Sequence, residues 1–538
     1  MPQIYFTRKS QNRTETYFAE MPRRENNLSP TALNRLGKSG SSSTDCISIY
    51  QSLPDYLVSC LDYCAIVTTW RRFLIGKGKM VQLLLAESLI PEKGGEIIDN
   101  IANNIIEELI DLGLLVLTKL DYGWAEFKDW NKIIVPEPFR ILCLVEVDEV
   151  EFFAKAANLP VRAIIEHDRK HIPLPPDFGT LQIRSLFLIT NNGSDSQGLS
   201  RAYMATICKL QYLLVLHFRG IIKRLSEEVG DLVHLRYLCC DWSYLDELPQ
   251  TLGNLQNLQT LDIILSRQLK ELPLQVLNYQ QLRHLMISKT TYRNGVRVPS
   301  GIGTFKYLRT LDGVYAGGGI LSELSSLTQL QQLGITSVSE DHSTELFPAI
   351  TKMENLISLS LEAEKYLRDS FLPDLESFSP PPSIQDLRLY GRLFEMPVWL
   401  TSMENLTMLF LGYSDLLENQ ARTLQFLPKL KLLYICNAYK VRCIGKEFCE
   451  ASGFPKLEFL EISEDLLVEW TDIVNGAFPS LRRLVFSNCW NLRFLPEGLQ
   501  NIFTLEELGL FGVHEDLGRR LLGEENYKIK HISKVHIP

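Results

Sequence analysis

No stretch of this 538-residue sequence approaches the run of about 20 apolar residues that a membrane-crossing helix needs. The first residues, MPQIYFTRKSQNRTETYF, also lack the apolar core of a secretory leader. A soluble, cytoplasmic chain without a membrane span is expected. Positive charge is not in excess either. Lys and Arg number 55 against 64 Asp and Glu, leaving a formal net charge of −9. That balance argues against sequence-independent binding of nucleic acid, which needs a basic surface. There is no G-x-S-x-G, no H-E-x-x-H and no kinase-like set, and the nine histidines are scattered. His234 and His284 read as surface or edge residues. With no catalytic constellation, the chain is expected not to be an enzyme. The eleven cysteines are odd in number, and none has zinc-finger spacing. Several fall where a buried apolar residue belongs, as Cys240 does in LRYLCC. They read as reduced, buried thiols, with no metal site expected. Cys60 and Cys64, one helical turn apart, read as helix core.

What the chain has in abundance is a leucine grid. A six-residue pattern, apolar-x-x-apolar-x-apolar, starts at Ile183, Leu213, Leu235, Leu258, Leu282, Leu308, Leu330, Leu356, Ile384, Leu406, Leu430, Leu457, Leu481 and Leu505. LRYLCC (235–240), LTMLFL (406–411) and LEELGL (505–510) are clear examples. After the first gap, successive windows lie 22 to 28 residues apart. A period in the twenties is the mark of a leucine-rich-repeat solenoid. The last two apolar positions of each window point the same way from one short strand. Neighbouring coils stack those strands into a curved parallel sheet, burying a core that no single coil could bury alone. The expected fold is therefore an α/β leucine-rich-repeat solenoid preceded by a small α-helical winged-helix domain.

Along the chain, residues 1–45 are polar, without apolar periodicity, and are expected to be disordered. They contain a GKS tripeptide, but no glycine stands five residues ahead of Gly37, so it is no phosphate loop. Residues 46–158 change texture. Helical spacing of apolar residues marks 47–67, 79–90 and 96–116, the last with Gly113 as terminator. LLVLTKLDYGWAEFKDW (114–130) reads as two strands joined by a turn at Tyr122-Gly123. Three helices and a hairpin make a winged-helix pattern. The solenoid with its C-terminal cap takes 159–538. VRAIIE (161–166) reads as a degenerate first strand, and residues 190–208, with TNNGSDSQG, as a surface loop.

The helical segment resembles the winged-helix part of plant coiled-coil-class nucleotide-binding leucine-rich-repeat (NLR) disease resistance proteins. SLPDYLVSCLDYCAIV is similar to that family's LP-x-x-L-K-x-C-F-L-Y-C stretch, LLLAESLI (83–90) to its L-W-I-A-E-G-F-I, and IIEELIDLGLL (105–115) to its L-x-E-L-x-x-R-x-L. The ending GEENYKIKHISKVHIP resembles the family's usual finish, which implies an intact C-terminus. The departures are Leu84 for the family's Trp, Ser88 for its Gly, and the lack of the nucleotide-binding core expected before residue 46. The family's phosphate-touching histidine falls at Glu146 or Val147, and neither can donate a hydrogen bond to phosphate. No nucleotide-binding residue is carried over, and ADP or ATP enters only with an upstream domain.

The resemblance implies plant innate immunity: a defence protein that recognises a pathogen effector, a host guardee or another NLR through its repeat surface. The other readings are a generic repeat scaffold for signalling and a non-functional truncated fragment. A nucleic-acid binder would use Arg71, Arg72, Lys77 and Lys79 on phosphates. The outward strand positions form the candidate surface. They carry Tyr237, Tyr390, Phe410, Tyr434, Phe459 and Phe511, with acidic Asp262, Asp312, Glu362, Asp386, Glu461 and Glu507 in equivalent places. Exposed aromatics are favoured binding anchors. Partner contact is expected to concentrate from Ile384 onward. The competing reading is that these rings pack along the sheet.

Overall fold

A computed structural model describes the chain from Ser43 to Ile537, apart from residues 69–74, 92–95, 120–130, 144, 148–155, 159, 168–173, 175–176, 191–198, 221, 265, 267, 288–294, 365–369, 417–419 and 421, together with residues 4–7 and 16–19. The Gly37 tripeptide, the Tyr122-Gly123 turn, Arg71 and Arg72 lie outside the described residues. The chain forms two compact units: residues 1–121 with 127–287, and residues 122–126 with 288–538.

In the first unit, the apolar run at 47–67 divides into α1 (Ser43–Ser52) and α2 (Asp55–Thr68). The break comes at Leu53-Pro54, because a proline disfavours helical geometry in the residue before it. Helix α2 is buried on almost every side, as a helix apolar all round must be. It is followed by α3 (Lys77–Ala86) and α4 (Ile98–Asp111). Helix α4 ends as its sequence demands. Gly113 adopts φ +70°, its N–H bonds Ile110 O and the next N–H bonds Leu109 O, satisfying the last carbonyls. Strands Ile75–Gly76, Val116–Lys119 and Asn131–Ile134 form a small antiparallel sheet. A further helix absent from the sequence reading, α5 (Glu137–Cys143), completes this part. In the segment expected to be disordered, Ile4–Thr7 pairs with Thr16–Ala19, and the latter pairs with Val145–Val147. The β-forming aromatics Tyr5, Phe6, Tyr17 and Phe18 are the signal for these strands.

Every one of the fourteen windows carries a strand of the parallel sheet. Six strands belong to the first unit, beginning with Val161–His167 and ending with His284–Met286. Ten belong to the second, from Thr310–Tyr315 to Lys534–His536, a final strand outside the grid. In the coils Leu-Pro introduces a convex side built from short 3-10 helices, as at Gln250–Asn254 and Leu274–Asn278. The chain leaves seven of the sixteen strands through a residue of positive φ. Gly220, Trp242, Gly391, Tyr413, Asn437, Asn488 and Gly512 all have positive φ just past a strand end. Several of these N–H groups bond the carbonyl closing the next coil's strand: Gly391 to Gly412 O, Tyr413 to Cys436 O, and Asn488 to Phe511 O. This turn aims the following side chains out along the rim of the sheet. All eleven cysteines are free thiols. Among the described residues, no helix is long and apolar enough to cross a membrane.

Candidate functional site

The outward face of the sheet is used differently in the two units. In the first it is covered. The apolar residues of α2, α3 and α4 share one core cluster with Phe187, Val215, Tyr237 and Cys239 of the early strands. Tyr237 is fully buried there, so the surface expected to take partners does not include it. The helical segment and the first four strands bury a common apolar surface, and the segments on either side of residue 158 belong to one compact unit.

Charged groups pin this cover down. Glu87 at the end of α3 is completely buried. It accepts from Arg162 Nη2 at 3.0 Å and from the Ser185 hydroxyl, with Arg184 Nε at 3.4 Å. Arg162 also lies over the Tyr63 ring at 4.8 Å, and the Tyr63 hydroxyl is 3.2 Å from Ser185 Oγ. Lys79 Nζ sits 2.7 Å from Asp262 and 3.8 Å from Asp241. Lys77 pairs with Glu107. Two of the four cations considered for phosphate contact are thus held by carboxylates. Arg283 and His284 meet Asp99 of α4, which places His284 inside this packing rather than at a free edge.

Burial pushes the Asp241 carboxyl up, but His217 and Lys79 overcome it and hold the group well below the usual carboxylate range. Its folded value lies under the unfolded one. Its stabilisation is therefore present above the unfolded value, about 3.9, and is lost as pH falls further. Asp241→Asn is expected to lower the melting temperature at pH 7, and its difference from wild type should shrink below about pH 4. A difference that stays constant down to pH 2.5 would show that the carboxylate charge is not what matters.

In the second unit the outward face carries an aromatic strip. Tyr390 and Phe410 have ring centroids 4.4 Å apart, Phe410 and Tyr434 6.0 Å, and Tyr434 and Phe459 5.0 Å. Phe410 and Tyr434 are direct cross-strand partners. Tyr390 lies one position pair further along, beside Gly412, and Phe459 one pair back, beside Leu432. The strip therefore runs obliquely over four strands. Arg483 lies over the Phe459 ring at 5.5 Å. Arg388 is buried beside the strip and is held by both oxygens of Asp386, each at 3.1 Å. Glu461 accepts from Ser487 Oγ at 2.7 Å, and burial pushes its carboxyl up. Phe511 stands apart from the strip, 6.0 Å from the His536 ring, and is half-buried. Tyr390, Phe410, Tyr434 and Phe459 are only 5%, 2%, 2% and 6% exposed. Their faces pack against one another, so the strip presents a dry floor rather than standing anchors.

The standing aromatics lie on the rim instead. Phe371 and Phe394 are 39% and 61% exposed and stack at 4.6 Å. The Arg392 guanidinium lies over Phe371 at 4.6 Å and pairs with Asp415, which also holds Lys440 at 2.7 Å. Trp490 is exposed on a later exit turn, as is Phe494 under Arg520. Sequence reasoning missed these residues because the grid ends at the strand. The positions past the left-handed turn follow no six-residue pattern. Among the described residues, none fits the nucleotide chemistry implied by the family resemblance. Glu146 and Val147 occupy a strand paired with Thr16–Ala19, and among the described residues no glycine-rich phosphate loop is present.

The model of a leucine-rich repeat region matches residues 182–536. Disease resistance RPP8-like protein 2 of Arabidopsis thaliana is 24% identical over 529 residues, taking in 93% of this chain and 56% of that protein. Disease resistance protein RPM1 of the same plant is 30% identical over 251 residues, 46% of this chain and 26% of that one. The chain thus spans at most a little over half the length of these relatives. A solved leucine-rich-repeat protein of Leptospira interrogans is 18% identical with a TM-score of 0.45, covering 72% of this chain and 98% of that one. The chain belongs to the leucine-rich-repeat family, and over most of its length its relatives are coiled-coil-class NLR disease resistance proteins of plants.

Proposed function

We propose that this chain is a cytoplasmic recognition module of plant innate immunity that acts by binding rather than catalysis. Its ligand is a pathogen effector, a host guardee or another NLR, met by the sheet of the second unit. The observation that supports this most is the pairing of a flat aromatic floor, Tyr390 to Phe459, with a raised aromatic rim at Phe371 and Phe394. Large rings that are already packed lose little rotamer freedom on binding, and desolvated aromatic centres dominate interface energetics. The eleven free thiols suit a reducing compartment.

The test uses proximity labelling in leaf tissue, with and without infection. Phe371→Asp with Phe394→Asp puts charge on an exposed stack and should leave melting unchanged. It is expected to remove at least one partner that wild type labels, with a loss of tenfold or more in affinity when that partner is purified, about 1.4 kcal/mol. A folded double variant that keeps every partner would sink the reading. A partner set identical with and without infection, and free of immune components, would instead favour a general signalling scaffold.

A further inference from the structure

Three neighbouring strands of the first unit set His217, Cys239 and Asp262 side by side. In the parallel register His217 faces Cys239, and Cys239 faces Asp262. Asp241 follows Cys239 by two residues on the same strand, so it points to the same face. His217 Nε2 is 3.4 Å from Cys239 Sγ and 3.2 Å from Asp241 Oδ1. The donor atoms of His217, Cys239 and Asp241 all lie within 4.8 Å of one another, and all three residues are buried. Asp262, wholly buried, adds a carboxylate beside them.

An imidazole nitrogen, a sulfur and carboxylate oxygens converging on one spot are the donor types that zinc takes. Calcium and magnesium want oxygen alone. Zinc holds nitrogen at about 2.0 Å and sulfur at about 2.3 Å in a tetrahedron, so donors sharing one ion stand roughly 3.3–3.8 Å apart. The His217 contacts to sulfur and carboxylate fall in or next to that range. A cation already leans on the same carboxylates, since Lys79 Nζ lies 2.7 Å from Asp262 and 3.8 Å from Asp241. The place is thus built to hold positive charge, and an ammonium holds part of it.

We propose that His217, Cys239 and Asp241, with Asp262 as fourth donor, form a zinc site at which the metal competes with the Lys79 ammonium. On binding, the Cys239 thiol gives its proton to solvent and its sulfur bonds zinc as thiolate. Lys79 gives up Asp262 and leaves, still charged, with the N-terminal turn of α3. Two carboxylates, one thiolate and a neutral imidazole offset the two charges of the metal and the displaced lysine beside it. Zinc occupancy and the seating of α3 on the sheet are then linked. Entry requires α3 to open, so loading is slow.

The test equilibrates the full, chelator-treated chain with cobalt(II), a visible stand-in for zinc. Wild type is expected to bind one cobalt per chain and to show a sulfur-to-cobalt charge-transfer band together with the visible bands of a tetrahedral ion. One equivalent of zinc should bleach both. Cys239→Ser, nearly the same size, should lose the sulfur band and bind zinc at least tenfold more weakly. Lys79→Met should bind at least tenfold more tightly, and zinc should raise its melting temperature more than it raises that of wild type. Far-ultraviolet circular dichroism checks that each variant is folded. Absence of the sulfur band in folded wild type at equilibrium would overturn the proposal and leave the Lys79 ammonium as the counter-charge of Asp262. So would a band that persists in Cys239→Ser, or one that Lys79→Met weakens.

Discussion

Glu87→Ala is expected to destabilise the first unit by about 3–5 kcal/mol, the cost of breaking a buried ion pair by removing one partner. The carboxylate is fully buried and has no solvent to fall back on. Its removal leaves the Arg162 guanidinium beside Tyr63 without this carboxylate, and Ser185 loses an acceptor, while Arg184 loses its ion-pair partner but keeps its bond to the carbonyl of residue 87. Glu87→Gln keeps the shape but not the charge and should fall between wild type and Ala. Replacing both partners by apolar residues, Glu87→Leu with Arg162→Met, should recover most of the loss, since both charges of the pair are then removed together. Urea unfolding followed by tryptophan fluorescence gives the energies, and hydrogen exchange shows where they act. Amides of α3 should exchange faster in Glu87→Ala, while those of the strand Tyr434 occupies stay as in wild type. A loss under about 1 kcal/mol would mean that the pair is solvated in solution and does not hold the helical segment to the sheet.

The repeat architecture was legible because its cause is local. Two apolar residues two apart, repeated at 22 to 28 residues, can only line one face of stacked strands, and all fourteen windows carry one. The helices were legible for the same reason. The partition of the outward face was not. The grid reports which residues point inward and is silent on what covers those that point out. Tyr237 and Tyr434 both occupy outward places in their windows, and only the fold shows that α2 and α3 lie over the first. The His217, Cys239 and Asp262 rung was hidden by its spacing. Intervals of 22 and 23 residues resemble no metal motif until the repeat period is applied sideways, across strands, instead of along the chain. Glu87 was visible within a family-like stretch, but its partners lie 75 and more residues further on, in two strands of which the first has a degenerate pattern.

Phe410→Ala is expected to cost about 3 kcal/mol, at the low end for removing a buried phenylalanine. Phe410 touches both arms of the strip, with Tyr390 at 4.4 Å and Tyr434 at 6.0 Å, so its loss unseats two further rings. The reciprocal change is sharper still. A Cβ at Gly412 would stand 2.8 Å from Phe410 Cε1 and 3.1 Å from Tyr390 Cδ1, closer than carbon atoms tolerate. Gly412→Ala must therefore push both rings up from the floor, at about 1–3 kcal/mol of overpacking. The two variants separate the readings of the strip. If the rings serve the sheet alone, both variants lose stability and partner affinity follows the folded fraction. If the strip is also the floor of the recognition surface, Gly412→Ala at temperatures where it is fully folded should still weaken the partner about tenfold, because a flat face has become a raised one. Thermal melts and titration calorimetry on the same preparations decide it. Phe410→Ala melting within 1 °C of wild type would remove the structural reading altogether, since a ring wedged between two others cannot be deleted without cost.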